Sequence, residues 1–409
     1  MKGDAAAVGT SIAIVAGSDG SLVASVAFGS DTVLTRLDAA GRTVPGWPRT
    51  LRNLDECDSP LLTASGHVRI VCLEGESGLE RAFGFTPDGT LEPGWPVLLD
   101  ESSSAYAMTT IGEDLVVVAV EPGPGVDTVV RLVTIRPNGT TDAGVGAPST
   151  EGSWAISPTG IAYGTADQDG ATDTTVVAID RTGVRRGWPI EISGIASAPA
   201  LGPGDRITVV VGDGGSVPTR ALVFGPDGQP DAASSDVLPA VPMPAVNGFD
   251  RPMSPVVAAD GSTIVVTYDK VEGSAIVWAL DLAGDVRTGW PYRPGAGIAT
   301  QGICAADDPV GCRTARPAVG GDGSLVIPEP ELNTSAGGRL VSLGQDGRPR
   351  AGWPVTLKRA GAAFWSVIPA GRGVAALSVE PEGGGQYSAT VLWIARDSTV
   401  VYAKTILEP

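Results

Sequence analysis

Apolar residues along this chain come in short runs, and almost every run ends at a turn. Arg206–Val211 is strongly β-branched, and Arg220–Phe224 follows it after a Gly-rich break. Val, Ile and Thr suit a pleated, half-buried surface, and clusters of Gly, Asp, Asn and Pro bound the runs. No stretch of 12 or more residues carries a 3.6-residue apolar period, so the pattern predicts strands throughout and no substantial helix. One unit displays the whole set: a small-residue strand at 197–201, the runs at 206–211 and 220–224, a Pro-Asp-Gly turn ending at Gly228, and a fourth strand.

That unit repeats. Turn glycines stand at 41, 89, 139, 183, 228, 284 and 347, spaced 48, 50, 44, 45, 56 and 63 apart, with Asp397 near an eighth turn. Five of the turns are followed by Gly-Trp-Pro, at Gly46-Trp47-Pro48, Gly94-Trp95-Pro96, Gly187-Trp188-Pro189, Gly289-Trp290-Pro291 and Gly352-Trp353-Pro354. The turns at Gly139 and Gly228 lack the Trp, and near the last turn Tyr402 stands roughly in its place. A period of 40 to 50 residues without helical patterning predicts propeller blades. Sharing 409 residues among eight copies gives about 51 each, enough for four strands. The expectation is one all-β β-propeller domain of eight four-stranded blades, at about 1–53, 54–100, 101–148, 149–193, 194–240, 241–295, 296–357 and 358–409. Seven blades result if the last copy is a closing strand. Recurrent Ser-Pro and Ala-Pro pairs, such as Ser59-Pro60 and Ser157-Pro158, open the copies; small residues fit first strands that converge on a central channel.

Gly-Trp-Pro has a physical reading. Gly allows positive φ or a close backbone approach, Trp47, Trp95, Trp188, Trp290 and Trp353 bring large apolar faces that fit between blades, and Pro belongs on an edge strand because it cannot donate to a ladder. The segments Ala178–Trp188 and Ala279–Trp290 read Ala-x-Asp, then Gly, then Trp. They resemble the tryptophan-docking repeat of quinoprotein-like propellers and the Gly-Trp-Pro propellers of bacterial surface proteins, related in style to FG-GAP repeats. The resemblance spans nearly the whole chain as a fold signature. It implies dehydrogenases, assembly scaffolds and binding modules alike, because function resides in sites rather than folds.

Composition narrows this. The net charge is -18, and Lys occurs at 2, 270, 358 and 404 alone. Nucleic-acid binding requires basic groups on phosphates, so that class is excluded, and anionic lipid is disfavoured likewise. No 18-residue apolar run offers a membrane span. Four cysteines fall in two local pairs, Cys57 with Cys72 and Cys304 with Cys312. Their even count and spacing favour two disulfides and an oxidising compartment. Free thiols would allow a cytoplasmic home, and a four-Cys zinc site lacks the usual spacing. Met1–Val8 carries no apolar leader core, so the chain is expected to be secreted, periplasmic or surface-borne, either after leader removal or as an excised domain.

Candidate chemistry is sparse. One histidine, His67, cannot build a multi-His metal site. Asp167, Asp169 and Asp173 flank a Gly and resemble a short calcium loop without its terminal Glu; the alternative is a polar hairpin turn. Asp307 and Asp308 are a second acidic candidate inside the Cys304–Cys312 loop. Quinone-dependent oxidation would need a stacked cofactor, a base and calcium, and glycoside cleavage needs two apposed carboxylates; neither constellation is identifiable. Trp154, Trp278, Trp365 and Trp393 lie outside the repeat. Trp154 and Trp365 fall early in their copies and are either aromatics available for a ligand or packing near the central ring, while Trp278 and Trp393 occupy third-strand core positions. The chain reads as a non-enzymatic, extracytoplasmic propeller that binds a protein partner as a scaffold or, alternatively, a glycan, with no cofactor beyond possible calcium. Insertions at about 241–252 and 296–316 are the expected binding loops.

Overall fold

The computed structural model is all-β. It describes residues 8–28, 30–75, 77–99, 104–123, 126–149, 152–167, 173–212, 218–231, 234, 238, 241–242, 252–269, 274–294, 317–320, 322–329, 337–359, 362–371, 373–383 and 386–407. Eight antiparallel sheets follow one another along the chain, each made from one contiguous stretch. In the first, Val8–Ala16, Leu22–Phe28, Asp31–Leu37 and Arg49–Arg52 pair in chain order. The others repeat this plan with interruptions. In the second blade Leu54–Cys57 and Leu61–Leu62 are two halves of one inner strand on either side of Ser59-Pro60, since both pair with Val68–Glu74. In the fourth, Gly183–Val184 and Ile190–Ser193 are one outer strand split by Gly-Trp-Pro. The single 3-10 turn described is Pro203–Asp205.

First strands touch first strands around the ring, and Ala363–Ala370 of the eighth blade touches Val8–Ala16 of the first. The molecule is therefore a closed eight-bladed β-propeller. Among the described residues no strand is exchanged between the first and last blades, so side-chain packing alone closes the circle.

This arrangement explains the continuous apolar runs. A middle strand lies between two neighbouring blades and is covered on both faces. All five residues of Ile207–Val211 and all five of Leu325–Glu329 are buried, so alternation disappears from their sequence.

The core is not one body but eight clusters, one per blade seam, and each cluster includes one tryptophan. Trp47 fills the seam of blades one and two, Trp95 that of two and three, and Trp188 that of four and five. Trp290 and Trp353 lie half-buried in the seams on either side of blade seven. The three seams that no Gly-Trp-Pro serves recruit a tryptophan from elsewhere. Trp154 of a first strand fills three and four, Trp278 of a third strand fills five and six, and Trp393, also of a third strand, joins Tyr402 at eight and one.

Truncating a wholly buried seam tryptophan opens a cavity that flat blades cannot collapse. Trp95→Ala, Trp154→Ala and Trp188→Ala should each destabilise by about 3–5 kcal/mol. Trp290→Ala and Trp353→Ala should cost less, because their rings keep water contact. Chemical denaturation of the five variants tests the order; equal effects across the set would contradict it.

Candidate functional site

The Gly-Trp-Pro unit is half of an interlock whose other half is the next blade's turn. The indole Nε1 of Trp95 donates to Pro137 O at 2.9 Å, that of Trp47 to Pro87 O at 3.0 Å, and that of Trp188 to Pro226 O at 3.2 Å. Trp290 and Trp353 donate to Gln345 O and Arg396 O, both at 3.1 Å. Each acceptor holds the same position in the Pro-Asp-Gly-type turn. At seam three to four, where no such tryptophan exists, the backbone N–H of Val145 donates to the equivalent Arg181 O at 3.0 Å. The glycine is required by space and by conformation. Gly94 has φ +85°, and a methyl built on it would stand 2.1 Å from Asn138 O. All five Trp-Pro peptides are cis.

Seam seven to eight carries a narrow cleft lined by Asp322, Ser324, Arg350, Trp353 and Arg396. Asp322 accepts hydrogen bonds from Ser324 N at 3.1 Å and Arg350 Nη1 at 3.0 Å, and Arg396 Nε lies 3.2 Å away. Burial pushes its carboxyl up, but Ser324 and the two guanidinium groups outweigh this and hold it at about 2. A carboxylate so committed anchors a seam and does not trade protons at ordinary pH.

Blade two differs from the rest. Cys57 and Cys72 lie opposite each other in register with Cα atoms 4.0 Å apart, and they form a disulfide. Next to it, Glu56, Leu73 and Glu80 form one cross-strand row. Glu80 Oε2 accepts the N–H of Ala105 from blade three at 2.5 Å. Burial pushes the Glu80 carboxyl up to about 7, with the charge of Asp58 adding to it.

At the opposite end of the same seam lies His67. Its Nδ1 meets Glu92 Oε1, to which Arg69 Nη1 also donates at 2.8 Å. Arg69 is wholly buried, with its guanidinium 4.9 Å from the Trp95 ring centre. Ser65 Oγ donates to Glu113 Oε2 at 2.5 Å. Glu92 stands two residues before its Gly-Trp, where Arg185, Arg287 and Arg350 stand in other blades, so this seam reverses the usual charges. His67 is a member of that hydrogen-bonded cluster.

Trp154 and Trp365, expected to be available to a ligand, are 7% and 9% exposed. Neither presents a face to solvent, because Trp154 lies against Gly164 in a seam and Trp365 belongs to an inner strand. Trp278 is buried as expected and donates to Thr267 Oγ1 at 2.7 Å; Trp393 stacks on Tyr402. Asp167 ends a second strand and Asp173, which is exposed, begins the third. Asp169, Asp307, Asp308, Cys304 and Cys312 lie outside the described residues, as do nearly all of 241–252 and 296–316. Among the described residues no three His, Cys, Asp or Glu side chains are grouped to share a metal ion. Glu80 escaped sequence reading because Glu56, which shares its cross-strand row, is 24 positions away and is brought there only by strand register.

No protein-family model and no curated protein matches the chain. Solved structures do. A eukaryotic initiation factor structure is similar over 97% of this chain and 88% of its own, at 10% identity and TM-score 0.52. Prolyl oligopeptidase B from Galerina marginata is similar over 95% of this chain and 56% of its own, at 10% identity and TM-score 0.52. The β-propeller domain of the Trilobed protease from Pyrococcus furiosus is matched over 98% and 97%, at 9% identity and TM-score 0.47. At these identities the likeness is one of fold.

The raised Glu80 carboxyl fixes a sign for pH dependence. Glu80 keeps its proton to higher pH in the fold than in the unfolded chain, where carboxylates titrate near 4. Its stabilisation is full below that range and is lost as pH rises through about 7. Glu80→Gln should raise the melting temperature at pH 8 and leave it unchanged at pH 4. An equal gain at both values would show that Glu80 does not carry the burial penalty.

Proposed function

We propose that this protein is a non-enzymatic, extracytoplasmic scaffold that binds other proteins, as an assembly factor or a structural part of a bacterial surface complex. The observation that supports this most directly is the filling and bonding of the seams. Eight seams are each filled by a tryptophan, six of them hydrogen-bonded across to the same turn position. Such a ring holds its loops and edges in fixed positions, and rigid scaffolds with variable loops serve recognition. The most distinctive polar groups are committed within their own seams, Asp322 to Ser324, Arg350 and Arg396, and Glu92 to Arg69 and His67. The Cys57–Cys72 bridge fits an oxidising compartment, and no helix among the described residues is long and apolar enough to cross a membrane. The chain's net charge of -18 argues against nucleic acid.

Glycan binding is the second reading. Trp290 and Trp353 keep part of their rings exposed, and Trp353 has Arg350, Asp322 and Arg396 beside it, the pairing of an aromatic face with polar neighbours that sugars use.

Screening the labelled protein against a glycan array and a display library of extracytoplasmic proteins separates the two. Protein hits that survive enzymatic removal of their glycans are expected. Binding confined to glycans, and abolished by Trp353→Ala, would overturn the scaffold reading.

A further inference from the structure

Propeller blades end in an edge strand, and bare edges invite pairing. In this ring most outer strands are broken up. Arg49–Arg52, Val97–Leu98 and Val355–Thr356 are the longest pieces left beside Gly-Trp-Pro in blades one, two and seven, and the outer strand of blade four is split by the same unit. Among the described residues, blades five and six show isolated bridges there, and blade three has two fragments, one containing Pro148. The eighth blade is different. Val400–Leu407 runs unbroken for eight residues and contains neither Gly nor Pro.

Its side chains are presented to solvent. Val400 is 40% and Val401 51% exposed, and Ala403, Lys404 and Thr405 are exposed as well. Tyr402 and Ile406 pack into the seam with blade one and tether the strand. Register shifts flank the stretch from Tyr402 to Thr405, which faces Trp393 to Thr390 regularly. Bulges of this kind bend a strand and confine further pairing to a short window.

The charge on this edge selects its occupant. Lys404 is the strand's one ionisable cation, and among the described residues it has no carboxylate partner. Its neighbours Val401, Ala403 and Thr405 are neutral. A second copy pairing here would face Lys404 near Lys404 and bring two chains of net charge -18 together. Charges beyond the screening length of about 8 Å at physiological salt matter little, so the nearest one decides. We propose that the outer edge of blade eight accepts an extended, β-branched strand of a partner protein, bearing a carboxylate opposite Lys404, as an added fifth strand. Main-chain hydrogen bonds would supply affinity and the Lys404 pair would supply register. This rests on the scaffold reading and names one of its docking surfaces.

The probe is a fluorescein-labelled nonapeptide of alternating threonine and valine with a central glutamate, followed by anisotropy against the full chain. A companion peptide carries lysine in place of glutamate. The glutamate peptide should bind wild type, and Lys404→Glu should weaken it about tenfold, the effect of one charge pair of roughly 1.4 kcal/mol, while the lysine peptide gains in the same variant. Ala403→Pro and Lys404→Pro remove adjacent backbone donors, one of which faces outward. The outward one should abolish binding while the melting temperature and the ring's circular dichroism remain those of wild type. No binding of either peptide, or binding indifferent to charge reversal, overturns the proposal, as does a concentration-dependent dimer that the outward-facing proline variant abolishes. If protein hits from the display screen bind all three edge variants normally, the edge assignment fails and the scaffold reading stands.

Discussion

Everything in this ring depends on how one blade's outer strand meets the next blade's turn. Neighbouring blades share no β ladder, so each seam must be held by side-chain filling and a few directed bonds. The Gly-Trp-Pro unit supplies both. Its glycine allows two backbones to meet where any Cβ would collide with a carbonyl, as Gly94 shows against Asn138. Its indole buries a large apolar face and satisfies its N–H on the carbonyl two residues before the turn glycine, as Trp95 does on Pro137. A buried tryptophan with an unsatisfied N–H would lose much of that gain. The interlock recurs because all blades are equivalent, and one unmet seam would leave a closed ring with a slot.

The eighth-to-first seam shows how strict that demand is. No exchanged strand closes it among the described residues. Instead Ile14, Leu22 and Leu37 meet Leu377 and Val391, with Trp393 and Tyr402 alongside. Tyr402 sits against Gly41, where a methyl would stand 2.5 Å from its ring. Burial and the charge of Asp38 push its hydroxyl up to about 12, as expected for a phenol kept neutral inside a seam.

The fold was legible in the sequence because its constraint is periodic. Turn glycines such as Gly41, Gly89 and Gly139 mark positions of positive φ, and a residue type imposed by backbone conformation survives in the letter code. Seam filling was only partly legible. Trp278 and Trp393 read as third-strand core, but the sequence does not show that each fills the seam of a blade without Gly-Trp-Pro, and Trp154, on a first strand, reads as a spare aromatic. Nine tryptophans against eight seams was the available clue: eight fill seams and the ninth, Trp365, is buried in an inner strand. The raised Glu80 carboxyl left no such clue: it lies on a third strand, and neither the Cys57–Cys72 spacing nor the local composition points to it.

One chemical unit thus governs both the inside and the outside of the ring. Where Gly-Trp-Pro closes a seam it also interrupts the outer strand, because a proline there cannot donate to a further ladder. Seam stability and protection against edge pairing are coupled by sequence. Blade eight separates them: Tyr402 takes the place of the tryptophan without a following proline, the seam is filled with help from Trp393, and the strand continues unbroken from Val400 to Leu407. Blades three and five also lack the unit and keep only short outer pieces among the described residues, so loss of the proline permits a continuous edge without dictating it. The ring blunts five of its edges as a by-product of packing and leaves that of blade eight open, and Lys404 gives that opening a sign.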